Sequence, residues 1–129
     1  MENYKIETVV KHLHNFEDYT EIDGYEVDIY VNDIKGNLLF NIGFECSNMS
    51  VYIPHLHNMK RHLNDLSEIC IKFNDLTIAK HSNYMISFEM TDGGSIISKF
   101  YLKINDEIET MLNELIDYKT EKPTYLFMD

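Results

Sequence analysis

The sequence predicts a single α+β domain with mostly antiparallel sheet, in the order strands, helix, strands, helix. Three observations lead there. Several segments alternate apolar and polar residues, the period of a half-buried strand. The connections between them are short, which favours antiparallel pairing. Two other segments space their apolar residues three and four apart, the period of an amphipathic helix. At 129 residues the chain is long enough for one apolar core and too short for two ordinary domains, so residues 1–129 are read as one globular unit.

Residues 4–14 set Tyr4, Ile6, Thr8 and Val10 against Lys5, Glu7, Val9 and Lys11. This reads as a strand, with a helix through Val9, Val10, Leu13 and Phe16 as the alternative. Residues 15–24 read as an acidic loop. Residues 25–31 alternate cleanly, with Tyr25, Val27, Ile29 and Val31 on one side and Glu26, Asp28 and Tyr30 on the other. The stretch 32–37 carries the Asn and Gly of a hairpin turn, and 38–45 is its return strand. A short strand is expected at 49–53. Pro54 then suits the first turn of a helix whose stripe is Leu56, Met59, Leu63 and Leu66.

The second half repeats the plan. Strands are expected at 68–73, 76–80, 84–90 and 95–104. Asp92-Gly93-Gly94 marks the last hairpin, because these residues tolerate positive φ. A closing helix opens at Asn105 or Asp106, with Asp106 and Glu109 spaced as a capping box and Asp106, Glu107 and Glu109 suited to the positive end of the helix dipole. Ile108, Met111, Leu112, Leu115 and Ile116 form its apolar face, and Pro123 stops any extension. The two halves suggest a duplicated unit, although no sequence repeat supports it.

The chain holds 22 acidic and 11 basic residues, a formal charge of −11. Such a field opposes nucleic-acid phosphates and anionic membranes and speeds encounter with basic partners. Its only basic cluster, Lys60-Arg61-His62, is too small for a nucleic-acid footprint. The two cysteines, Cys46 and Cys70, form no C-x-x-C and are read as reduced and mostly buried, with a disulfide between them as the alternative. No apolar run approaches a membrane span, no signal peptide is visible, and the expected compartment is the cytoplasm.

Catalytic motifs are missing: there is no nucleophile elbow, phosphate-cradling loop, H-E-x-x-H or EF-hand loop. No enzyme activity, cofactor or metal is expected. Two H-x-H pairs, His12/His14 and His55/His57, share a face only on a strand. Spacing offers them no third ligand, so a metal or small-ligand site on these histidines is kept only as an alternative. The acidic residues are concentrated instead. Glu17, Asp18, Glu21, Asp23, Glu26 and Asp28 fall within twelve positions without a Lys or Arg, interleaved with Tyr19, Tyr25 and Tyr30. Acids beside tyrosines suit a surface that meets a basic protein, since Tyr adds contact area at low entropic cost. The expected partner-binding residues are Glu17, Asp18, Tyr19, Glu21, Asp23, Tyr25, Glu26 and Asp28.

From Gly24 to Pro123 the order resembles WapI-type immunity proteins of bacterial polymorphic toxin systems. The features that carry this are the block YEVDIYVND, the segment SVYIPHLHNMKRHLNDL, the block IKFNDLTIAKHSNYMISFEM and the helix INDEIETMLNELIDYKTEKP. The order is also similar to the Whirly fold, which some contact-dependent growth-inhibition immunity proteins are thought to share. Whirly proteins bind single-stranded DNA, and the charge of this chain departs from that. The resemblance implies an antitoxin that binds and neutralises a cognate toxin domain, often a basic nuclease or tRNase, with no cofactor or turnover. A phage anti-CRISPR or other anti-defence inhibitor is the alternative within the same class of binding module.

Overall fold

The computed structural model describes residues 3–14, 17 and 21–119. Strands β1 (Lys5–His14), β2 (Ile22–Asn32) and β3 (Leu38–Cys46) form one antiparallel sheet in the order β1-β2-β3. After a 3-10 turn at Met49–Tyr52 comes helix α1 (Ile53–Arg61). Strands β4 (Ile69–Phe73), β5 (Leu76–Lys80), β6 (Met85–Asp92) and β7 (Ser95–Lys103) form a second antiparallel sheet in sequential order, and α2 (Asp106–Ile116) follows. The expected α+β order holds, with three strands in the first half and four in the second.

The alternation of β1 and β2 decides what the first sheet buries. Val27 and Ile29 lie opposite Val10 and Thr8, and opposite Phe44 and Ile42, so one face is a continuous apolar layer. The strand reading of residues 4–14 is therefore the right one. The two hairpins follow their turn chemistry. Asp33 accepts from the amides of Lys35 and Asn37 and from the side chain of Asn37, and Gly36 takes a φ of 91°. Gly93 and Gly94, both at positive φ, link the paired Asp92 and Ser95, as a two-residue primed turn requires.

Aromatic rings join the sheets. Phe44 stacks on Phe73 of β4 at 4.5 Å, and Phe40, four residues earlier, stacks on Phe100 of β7 at 4.0 Å. Four residues of strand advance about 13 Å, close to the three inter-strand spacings of about 4.8 Å between β4 and β7. Strand β3 therefore runs across the second sheet, an orthogonal packing. The helices close the core with Leu56, Met59, Ile108, Met111, Leu112 and Leu115, all buried in the same cluster as both sheets. Beyond the sheet edge, Glu107 of α2 accepts the Ile6 amide at 2.8 Å, and Tyr4 donates its hydroxyl to the Lys103 carbonyl. Burial, more than any neighbour, holds the Tyr4 phenol far above its usual range.

Several local expectations are corrected. Residues 49–53 are not a strand. Asn48 accepts the Ser50 amide at 3.0 Å and starts the 3-10 turn, while Met49 drops into the core and Val51 faces water. Pro54 then sits in the first turn of α1, as expected. Leu66 lies outside the apolar stripe, 77% exposed, because the helix ends at Arg61 and only Leu63 still reaches the core. Asn105, not Asp106, caps α2 by accepting the Glu107 amide at 2.9 Å, so the Asp106–Glu109 spacing is one residue out of phase for a capping box. Strand β2 starts at Ile22 and takes up the end of the expected loop. Both cysteines are free, but Cys70 is exposed on the outward side of β4 while Cys46 is half-buried. The C-terminal stop at Pro123 lies outside the described residues.

One buried cation fixes the chain that leaves α1. Lys80 is 1% exposed, and its ammonium donates to the carbonyls of Asp65 (2.9 Å) and Ser67, with Asp65 Oδ1 at 3.6 Å. Asp65 also accepts from His62 Nδ1 at 2.6 Å and from the Ser67 amide at 2.8 Å. The His62 bond is the leading reason that its carboxyl stays far below the ordinary range, followed by the bonds from Ser67. A depressed folded-state pKa stabilises the fold above the unfolded value, about 3.9, and the benefit fades as pH falls through the folded value. Asp65→Asn is therefore expected to lower stability at neutral pH and to converge with wild type as pH drops below about 4. Urea unfolding of both proteins at several pH values measures this.

Candidate protein-binding face

The outward face of the first sheet is built by the same alternation that builds the core. Its rows run Lys11, Glu26, Glu45, then Val9, Asp28, Gly43, then Glu7, Tyr30, Asn41. Glu7, Asn41 and Glu45 at the margins are exposed, and Glu26, Asp28 and Tyr30 on the central strand are half-buried between them. Four carboxylates thus share one open face. Lys11 Nζ lies 4.0 Å from Asp28 Oδ2, a loose surface pair of small value. Glu26 and Glu45 stand directly opposite each other on β2 and β3. Like charges so placed repel each other, with Lys11 opposite Glu26 on the other side.

The acidic run of the sequence is divided by the fold. Glu26 and Asp28 lie on this face. Asp23 is the extra residue where the β1–β2 register slips, and with Glu21 it is exposed at the start of β2. Glu17 is exposed in the connection, whereas Asp18 and Tyr19 lie outside the described residues. Tyr25 points the other way. Its ring packs edge-on against Tyr118 at 5.2 Å and His12 at 5.3 Å, and burial raises its phenol pKa, helped by Tyr118 and Cys46. The tyrosine that shares the face with the acids is Tyr30. Sequence reasoning did not select Glu7 and Glu45, which come from neighbouring strands. Their signal was the pairing of the hairpins, not their distance along the chain.

At the rim of the face, where β3 meets the β4–β5 turn, Gly43, Phe44, Glu45, Asn74, Asp75 and Met90 line an open depression of about 470 Å³. A smaller one of about 180 Å³ is lined by Val51, Tyr52, His55, Cys70, Ile71 and Lys72. Gly43 is required by its surroundings, since a Cβ there would lie 2.3 Å from the Val27 carbonyl oxygen.

The histidines divide between two settings. His12 Nε2 is 2.9 Å from the Tyr118 carbonyl, tying the turn after α2 to β1, and the His12 and His14 ring centroids are 6.5 Å apart. His55 and His57 are exposed on α1. Among the described residues no three His, Cys, Asp or Glu side chains come together as metal ligands, and no helix is long and apolar enough to cross a membrane. No family model, curated protein or solved structure matches the chain.

Proposed function

We propose that this protein is a binding module that captures a basic protein on the outward face of its first sheet, as an immunity protein neutralises a cognate toxin domain. The observation that carries the reading is the open sheet face with Glu7, Glu26, Asp28 and Glu45, two of them directly opposed. The same face carries Lys5 and Lys11, and the excess of carboxylates over these two cations leaves a negative field that attracts a positive surface. The formal charge of −11 favours a basic nuclease or tRNase domain over nucleic acid as the partner. Glu21 and Asp23 extend the field at one end, and Tyr30 supplies apolar contact area within it. A Whirly-like scaffold acting in the cytoplasm belongs to the same reading, supported by the strands–helix–strands–helix order. Binding requires no turnover and no cofactor.

The test is co-purification with the product of the adjacent gene, followed by charge reversal. Glu7→Lys, Glu26→Lys and Asp28→Lys together are expected to slow association at least about tenfold, because steering by complementary charge accounts for that much or more of an on-rate. Association at an unchanged rate would move the interface off this face.

A further inference from the structure

We propose that the depression between β3 and the β4–β5 turn is an anchor pocket for one arginine or lysine side chain of a protein partner. This rests on the reading of the acidic face above, with which the pocket shares Glu45, and it adds a fixed point of attachment. The pocket has an apolar floor, Phe44 and Met90, and carries two carboxylates, Glu45 and Asp75. Gly43 lets β3 lie close against β2 at the pocket's edge, since a Cβ there would meet the Val27 carbonyl oxygen at 2.3 Å. The walls are held by hydrogen bonds to backbone carbonyls. Asn74, at a φ of 49°, donates its side-chain amide to the Glu45 carbonyl, binding the turn to β3. The Asp75 carbonyl accepts the Thr91 amide at 2.8 Å, binding the same turn to β6. Both carboxylates therefore stand on anchored backbone.

The chemistry selects the occupant. An apolar ligand would strip water from two carboxylates and give nothing back, and an anion would be repelled. A long aliphatic stem with a cationic end satisfies both parts: the stem covers Phe44 and Met90, and the charge meets Glu45 and Asp75. A guanidinium fits best, because its planar fork can engage two carboxylates at once. Arginine is also the cation most often found as a buried anchor in interfaces.

The probe is N-acetylarginine amide, with the uncharged isostere N-acetylcitrulline amide beside it, titrated into the intact protein and followed by amide NMR. The arginine probe is expected to give saturable shifts at Gly43, Glu45, Asn74 and Asp75 that weaken in salt and disappear in Glu45→Gln/Asp75→Asn. Equal shifts with citrulline, survival of the shifts in the double variant, or no saturable shift at all would each overturn the proposal. The same double variant separates the two claims once a partner is in hand. Capture lost on reversing Glu7, Glu26 and Asp28 but untouched by Glu45→Gln/Asp75→Asn refutes the pocket alone. Capture untouched by either set refutes the acidic face itself.

Discussion

Phe73→Ala is expected to cost about 4 kcal/mol, within the range for truncating a buried Phe. Phe73 is fully buried, and its ring meets Phe44 of the first sheet at 4.5 Å and Tyr52 at 4.7 Å. It is thus a joint between two sheets and the turn before α1. Small domains have only about 5–15 kcal/mol in total, so the variant is left barely folded. Because one apolar cluster includes both sheets and both helices, the loss falls on the whole molecule. Far-ultraviolet circular dichroism and tyrosine fluorescence should report the same shifted urea midpoint. Separate midpoints would show that the sheets unfold independently. Phe73→Leu fills most of the space and is expected to cost far less, about 1 kcal/mol.

Lys80→Ala is the second large effect, about 3 kcal/mol. Its ammonium is enclosed and holds two carbonyls and one carboxylate of the segment after α1. Removal leaves those acceptors without their donor and opens a cavity where the stem ran. Lys80→Met keeps the stem and deletes only the charge. An intermediate loss in urea unfolding is therefore expected, the difference between the variants measuring the packing of the stem. A loss below about 0.5 kcal/mol for alanine, the size of an ordinary surface change, would mean that the segment is held by other contacts.

The strands were legible because each half-buried strand writes its two environments as alternation. Tyr25, Val27, Ile29 and Val31 against Glu26, Asp28 and Tyr30 is the clearest case. The hairpins were legible because positive φ needs Gly or Asn, as at Gly36, Gly93 and Gly94. Residues 49–53 misled because Met49, Val51 and Ile53 have the spacing of one strand face, whereas the 3-10 turn buries Met49 and turns Val51 to water. Leu66 misled because apolar spacing says nothing about where hydrogen bonding stops. Lys80 sits at a core position of β5, and only its distant carbonyl partners make that burial stable.

The candidate site was half legible. Charge density along the chain pointed to Glu26 and Asp28, which do lie on the sheet face. It also drew in Tyr25, which the alternation had already set on the apolar side with Val27 and which packs on Tyr118 and His12. Glu7 and Glu45 join the face through strand register, and Asp75 comes near Glu45 because β3 crosses the second sheet. Both are properties of the folded chain, with no trace in local composition.

Ionic strength applied to the association rate tests the central claim most directly. With the co-purified partner, the rate constant should fall steeply as salt rises from about 0.01 to 1 M, over which the screening length shrinks from about 30 to 3 Å. The Glu7→Lys/Glu26→Lys/Asp28→Lys protein should be slow at every salt concentration and nearly flat. A wild-type rate that ignores salt would contradict the claim that negative charge on this sheet brings the partner in.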